Sequence, residues 1–108
     1  MSFPYERPDT LAQATALLAG AGGGARILAG GTDLMIALRG GPPPTVLVDI
    51  KRIPELGTVR WTPAGDLEIG ACVRVQDVAE DARIRGAFTA LAEGAEAIGS
   101  LQIRWRAT

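Results

Sequence analysis

The chain is most tightly constrained at residues 27–34. Ile27, Leu28 and Ala29 make an apolar run, Gly30 and Gly31 break it, and Thr32 and Asp33 lead into a second apolar run from Leu34. The pattern predicts a short buried strand, a tight bend and a short helix. Such a bend suits a phosphate group. Glycine lets the backbone approach an anion closely, and the N–H groups that open a helix have no partners of their own. On this reading the bend cradles the pyrophosphate of a dinucleotide, with the Gly30 and Gly31 amides and the Thr32 amide and hydroxyl donating. A strand-to-helix turn that merely needs small residues would leave the same trace. Asp33 reads equally well as the helix N-cap or as an acceptor for a polar group of the ligand, such as a ribose hydroxyl.

The surroundings narrow the chemistry. The 108 residues make one domain or part of one, with 47% hydrophobic and 21% charged residues, as in ordinary globular proteins. A net charge of −1 with scattered arginines gives no footprint for nucleic acid or an anionic membrane. No apolar run approaches a membrane span. The chain has no histidine, which removes the usual general base, the serine–histidine triad and the usual zinc ligand. No catalytic group and no metal-ligand set can be named, so demanding chemistry must come from a cofactor. The single cysteine, Cys72, fits a reducing compartment and reads as a small buried apolar residue; the expected location is cytoplasmic.

The pattern along the chain predicts an α/β unit followed by a different one. Residues 1–8 look extended. Thr10-x-x-Gln13 is a capping-box pattern, and Leu11, Ala14, Leu17 and Leu18 predict one apolar helical face, ended by Gly20. Gly22, Gly23 and Gly24 read as a flexible turn. Strands are expected at 26–29 and 45–50, with a short helix from Leu34 to Leu38, and this alternation implies parallel strands with crossover helices. Beyond Pro54 the residues predict a hairpin across 63–66, a short helix at 75–79, and a longer helix over 86–98 with Phe88, Leu91, Ala92, Ala95 and Ile98 on one face. A boundary near residue 53 therefore separates 1–53, a small N-terminal α/β subdomain, from 54–108, the start of a second subdomain that reads as unfinished at Thr108.

These segments carry a resemblance. Phe3-x-Tyr5-x-x-Pro8, Ala29-Gly30-Gly31-Thr32-Asp33-Leu34, Leu47-Val48-Asp49-Ile50 followed by Ile53-Pro54-Glu55-Leu56, and Ile69-Gly70-Ala71 occur in order. So does Ile98-Gly99-Ser100-x-Gln102-Ile103-Arg104-x-Arg106-Ala107-Thr108. Together they resemble the N-terminal part of the FAD-binding subunit or domain of the molybdenum-containing hydroxylases. That family includes xanthine dehydrogenase and the medium subunit of aerobic carbon monoxide dehydrogenase.

The resemblance implies an FAD-binding fold of the PCMH type, α/β in its first subdomain and α+β overall, with FAD between two subdomains. It implies that residues Ile27, Leu28, Ala29, Gly30, Gly31, Thr32, Asp33 and Leu34 embrace the FAD pyrophosphate. It places Thr108 at the start of a second phosphate loop and Ile98 against the flavin, although Ile98 also reads as a core position. Trp105 stands where the family usually carries an asparagine. Arg104 and Arg106 read either as a favourable field for a diphosphate or as solvated surface groups.

The function implied is that of an FAD-binding electron-transfer component of an oxidoreductase. Its implied partners are a molybdopterin-binding large subunit and an iron–sulfur small subunit. Two alternatives stay open: another flavoprotein oxidase or reductase of the same fold, and an inactive fragment or interaction piece. A truncated chain is expected to bind FAD weakly or not at all.

Overall fold

A computed structural model describes residues 3–108. The first unit is a three-stranded parallel sheet. Strand β1 (Tyr5–Glu6) and strand β2 (Ala25–Leu28) flank the central strand β3 (Val46–Asp49) in the order β1-β3-β2. Tyr5 lies opposite Leu47, and Ala25 to Leu28 run opposite Val46 to Asp49. Every residue of β3 is buried, as a central parallel strand requires when both faces are covered. Its side chains alternate between two apolar layers. Val46, Val48 and Ile50 pack with Ala14 and Ile53 on one face, and Leu47 packs with Leu28 and Leu38 on the other.

Helix α1 (Leu11–Gly20) covers the first face. Its start is fixed as the capping pattern predicts: Thr10 Oγ1 accepts from Gln13 N (3.2 Å), while Gln13 Oε1 accepts from Asp9 N (3.0 Å), one residue before the cap. Ala14 is buried, Leu17 and Leu18 are partly buried, and Leu11 falls outside the apolar face. The glycines at 22–24 form a turn of 3₁₀ helix rather than a loose turn. A short helix, α2 (Leu34–Ala37), follows β2, and its Leu34 joins the layer on the second face.

The second unit opens with a hairpin, β4 (Val59–Trp61) and β5 (Leu67–Ile69), antiparallel with Trp61 opposite Leu67. Helices α3 (Val75–Glu80), α4 (Ala82–Ala87), α5 (Thr89–Glu96) and α6 (Leu101–Arg104) follow. Val73, Val78, Ala79, Ile84, Ala92 and Ala95 form their core, with Val59, Trp61 and Leu67 of the hairpin packed against it. Leu56 and Cys72 pack into the first unit's core, so the two units share a seam.

The single helix expected over 86–98 is two helices. Phe88 takes φ −131° and ψ 62°, outside the helical region, and ends α4. Its ring packs 5.8 Å from that of Trp61, an aromatic contact across to the hairpin. Asp81 starts α4 by accepting from Ile84 N at 2.9 Å. The expected apolar face is also narrower: Ala92 and Ala95 are buried, whereas Phe88, Leu91 and Ile98 are exposed. No helix of the described residues is long and apolar enough to cross a membrane.

Candidate functional site

The bend at 29–33 leaves the sheet where β2 ends. Leu28 O accepts from Ile50 N (3.0 Å), and the chain then turns away at Ala29. Gly31 sits at φ +82°, a conformation that costs a side-chain-bearing residue dearly. Leu28 Cδ1 lies 3.0 Å from where a Cβ on Gly31 would stand, so this buried leucine props the bend from beneath.

Met35 N donates to Gly31 O (3.0 Å), Ala37 N to Asp33 O (3.0 Å) and Leu38 N to Leu34 O (2.9 Å). Among the described residues, the main-chain N–H groups of Gly30, Gly31, Thr32, Asp33 and Leu34 donate to no protein acceptor. Main-chain donors are obligatory hydrogen-bonding groups, so a run of them without partners is open to an external acceptor. A concavity of about 200 Å³ is lined by Ile27, Ala29, Gly30, Gly31, Thr32, Asp33, Leu34 and Thr108.

Most of the residues expected at the site therefore meet there, and the remainder are placed differently. Leu28 lies below the bend in the core. Ile98, 47% exposed, is not in this concavity or in the core. It lines an adjoining apolar groove of about 720 Å³ with Val75, Leu91 and Ala95, and Thr108 forms part of both walls. Asp33 is not a side-chain cap. Its backbone is already helical (φ −87°, ψ −40°) and its carboxylate makes no capping bond, because capping geometry needs an extended residue whose side chain can fold back on the first turn.

The opposite wall comes from the end of the chain. A Cβ on Gly30 would collide with the Arg106 carbonyl oxygen and stand 3.1 Å from Ala107 Cα. Arg106 Nε donates to Gly30 O at 3.2 Å. Of the two arginines for which a solvated surface position was one expectation, Arg106 is exposed and Arg104 is partly buried, and both make protein bonds. Arg104 is tied to Gln76 and to the Ile98 carbonyl, and Arg106 to the glycine bend. Trp105 takes the Arg74 guanidinium over its ring at 5.0 Å.

Residues 1–108 match the family model described as FAD binding domain in molybdopterin dehydrogenase. The chain belongs to that family. It is 37% identical to the carbon monoxide dehydrogenase medium chain of Hydrogenophaga pseudoflava, covering 98% of this chain and 37% of the relative. It is 39% identical to the aldehyde oxidoreductase FAD-binding subunit PaoB of Escherichia coli (strain K12), covering 99% and 33%. Two solved structures agree in fold over all of this chain and 38% of theirs. They are the Hydrogenophaga pseudoflava carbon monoxide dehydrogenase that lacks the Mo-pyranopterin moiety (TM-score 0.92, 34% identity) and the reconstituted CO dehydrogenase of Oligotropha carboxidovorans (TM-score 0.93, 32% identity). The chain thus spans less than two-fifths of the length of these relatives. Its fold is the FAD-binding fold of that family, as the sequence implied.

The residues present fit the diphosphate of FAD. They supply unpartnered main-chain donors, a glycine at positive φ and a surface where Cβ atoms are missing. One polar group near this fold's first strand lies in a motif of the resemblance, Leu47-Val48-Asp49-Ile50, that assigned it no role. Asp49, at the end of β3, is 2% exposed. It accepts from the Tyr5 hydroxyl, from Lys51 N (3.0 Å) and from Lys51 Nζ (3.0 Å), with Arg7 Nε at 3.8 Å. Burial pushes its carboxyl upward, but the Tyr5 and Lys51 hydrogen bonds and the Lys51 charge outweigh that and hold it below the usual carboxylate value. The same bond, then burial, raises the Tyr5 phenol. The available signal was a carboxylate inside an otherwise apolar strand, which must find partners.

Proposed function

We propose that this chain is the N-terminal part of the FAD-binding, electron-transfer subunit of a molybdenum-hydroxylase-type dehydrogenase. In this reading Gly30, Gly31 and Thr32 hold the FAD diphosphate through their main-chain N–H groups. The observation that carries it is the run of donors from Gly30 to Leu34 without protein acceptors, at the rim of a concavity that Thr108 closes. When bound, FAD supplies the electron-carrying chemistry.

The chain's own residues bind and orient. Ile27 and Leu34 wall the concavity, and Leu28 fixes the bend from below. Asp33, freed from capping, is available to accept from a nucleotide hydroxyl. Thr108 donates from the facing wall, and Ile98 offers an exposed apolar side chain along the neighbouring groove. Residues 1–53 form the pyrophosphate-binding subdomain, and 54–108 begin the second.

The relatives' names, "medium chain" and "FAD-binding subunit", support partner subunits. We assign these as a molybdopterin-binding large subunit and an iron–sulfur small subunit, assembled in the cytoplasm, where Cys72 stays reduced. The test is Gly31→Val in the full-length gene product. Valine is strained at φ +82° and its branched side chain blocks backbone approach. Purified variant protein is expected to lose the flavin absorbance bands at about 370 and 450 nm. Unchanged flavin content in a folded variant rejects the role assigned to the bend.

A further inference from the structure

The last residues of the chain form a strap between α3 and the glycine bend. Its root is α6, whose four residues are far too few to hold a helix by propensity. Ser100 Oγ caps it by accepting from Ile103 N at 3.3 Å, but tertiary bonds must fix its position. Within α6 two such bonds come from one side chain. Arg104 Nε donates to Gln76 Oε1 at 2.8 Å, and Arg104 Nη1 donates to Ile98 O at 3.1 Å.

Gln76, on α3, is 8% exposed, and its amide can face only one way. Its Nε2 donates to Glu80 Oε1 at 2.9 Å, and an ionised carboxylate only accepts, so Oε1 is left for the arginine. Glu80, Gln76, Arg104 and the Ile98 carbonyl thus form one polarised chain of bonds. Past Arg104 the strap is pinned twice more. Ala107 O accepts from Val75 N (2.8 Å), a donor at the start of α3 with no helical partner. Arg106 then touches Gly30 through its side chain and its carbonyl. The strap carries Thr108 to the wall of the concavity.

We infer that Arg104 is a positioning residue for the diphosphate site: through Gln76 and the Ile98 carbonyl it sets where the Thr108 wall stands relative to the amides of the glycine bend. The inference rests on the diphosphate reading proposed above and adds to it a residue that touches no ligand. Lysine cannot replace it. A guanidinium donates along two fixed directions, one to Gln76 and one to Ile98, whereas an ammonium is a compact point donor on a flexible stem.

The experiment is a double-mutant cycle in the full-length gene product, reading FAD dissociation constants, visible circular dichroism of bound flavin and the melting temperature of the apoprotein. Arg104→Lys and Gln76→Met should each raise the FAD Kd roughly tenfold. The double variant should be no worse than about twofold beyond either single, since all three break the same link. The flavin dichroism should change in each, while the apoprotein melts within about 3 °C of wild type. Wild-type Kd and dichroism in either single variant overturn the inference. So do losses that multiply in the double variant, or a Kd loss that follows the melting temperature with unaltered dichroism. Should Arg104→Lys fail to fold, Gln76→Met decides by the same Kd and dichroism criteria. Gly31→Val in the same series separates the two readings. If it keeps FAD, the diphosphate reading falls and this inference with it. If it loses FAD while Arg104→Lys binds normally, the strap inference alone falls.

Discussion

Asp49 and Gly31 show what single residues contribute here and how differently they announce themselves. Gly31 is legible because the rule is local: two glycines between apolar runs demand a bend, and φ +82° at Gly31 is what the bend requires. Asp49 is not, because its decisive partner Tyr5 lies 44 residues away and is brought alongside by the sheet, while only Lys51, two residues on, is local. Asp33 was half-legible. Its place before α2 is as expected, but the chain enters the helix early and removes its capping role. Asp49→Asn should destabilise the fold by about 2 kcal/mol, the range for hydrogen bonds to a charged group, measured by urea unfolding at neutral pH. The folded carboxyl titrates below its unfolded value of about 3.9. Its contribution is therefore complete above that value and lost as pH falls through the lower folded one. The wild-type advantage over Asp49→Asn should persist from pH 7 to about 5 and shrink below about 4. An advantage that does not change down to pH 2 contradicts this account.

At the scale of elements, caps and periodicity serve well where the decisive contacts lie within a few residues. The start of α1 follows from Thr10 and Gln13, and the hairpin follows from the turn at 63–66. The helix over 86–98 does not, since its periodicity runs on through Phe88 with no proline at the break. The interruption comes from the Phe88–Trp61 contact, a tertiary preference that overrides helical continuity. Asp81 is a true side-chain cap, so Asp81→Ala should cost about 1 kcal/mol and lower the melting temperature by several degrees. The matching change at Asp33, Asp33→Ala, should leave stability within about 0.5 kcal/mol, because no capping bond is lost there. Equal losses in both variants contradict the assignment of caps.

For the molecule as a whole, the sheet order β1-β3-β2 and the strap's return to Gly30 are the features no local pattern carries. Arg106 and Gly30 lie 76 residues apart in sequence, and only the folded chain brings them together. That return joins the two units, along with Leu56 and Cys72 in the first unit's core. Thermal or urea unfolding should therefore show one transition. Ile84→Ala in the second core and Leu47→Ala in the first should each shift that same transition, by about 2–5 kcal/mol. Two separable transitions, with Ile84→Ala moving only one, would show that the units fold independently.

The central claim is that main-chain amides at the glycine bend grip the diphosphate of FAD. Its most direct measurement follows the amide proton and nitrogen resonances of the protein as FAD is added. The account predicts large shifts at Gly30, Gly31 and Thr32, smaller ones at Thr108, and the same pattern with ADP, which shares the diphosphate but lacks the flavin. Tight FAD binding that leaves the Gly30, Gly31 and Thr32 amides unmoved would contradict it.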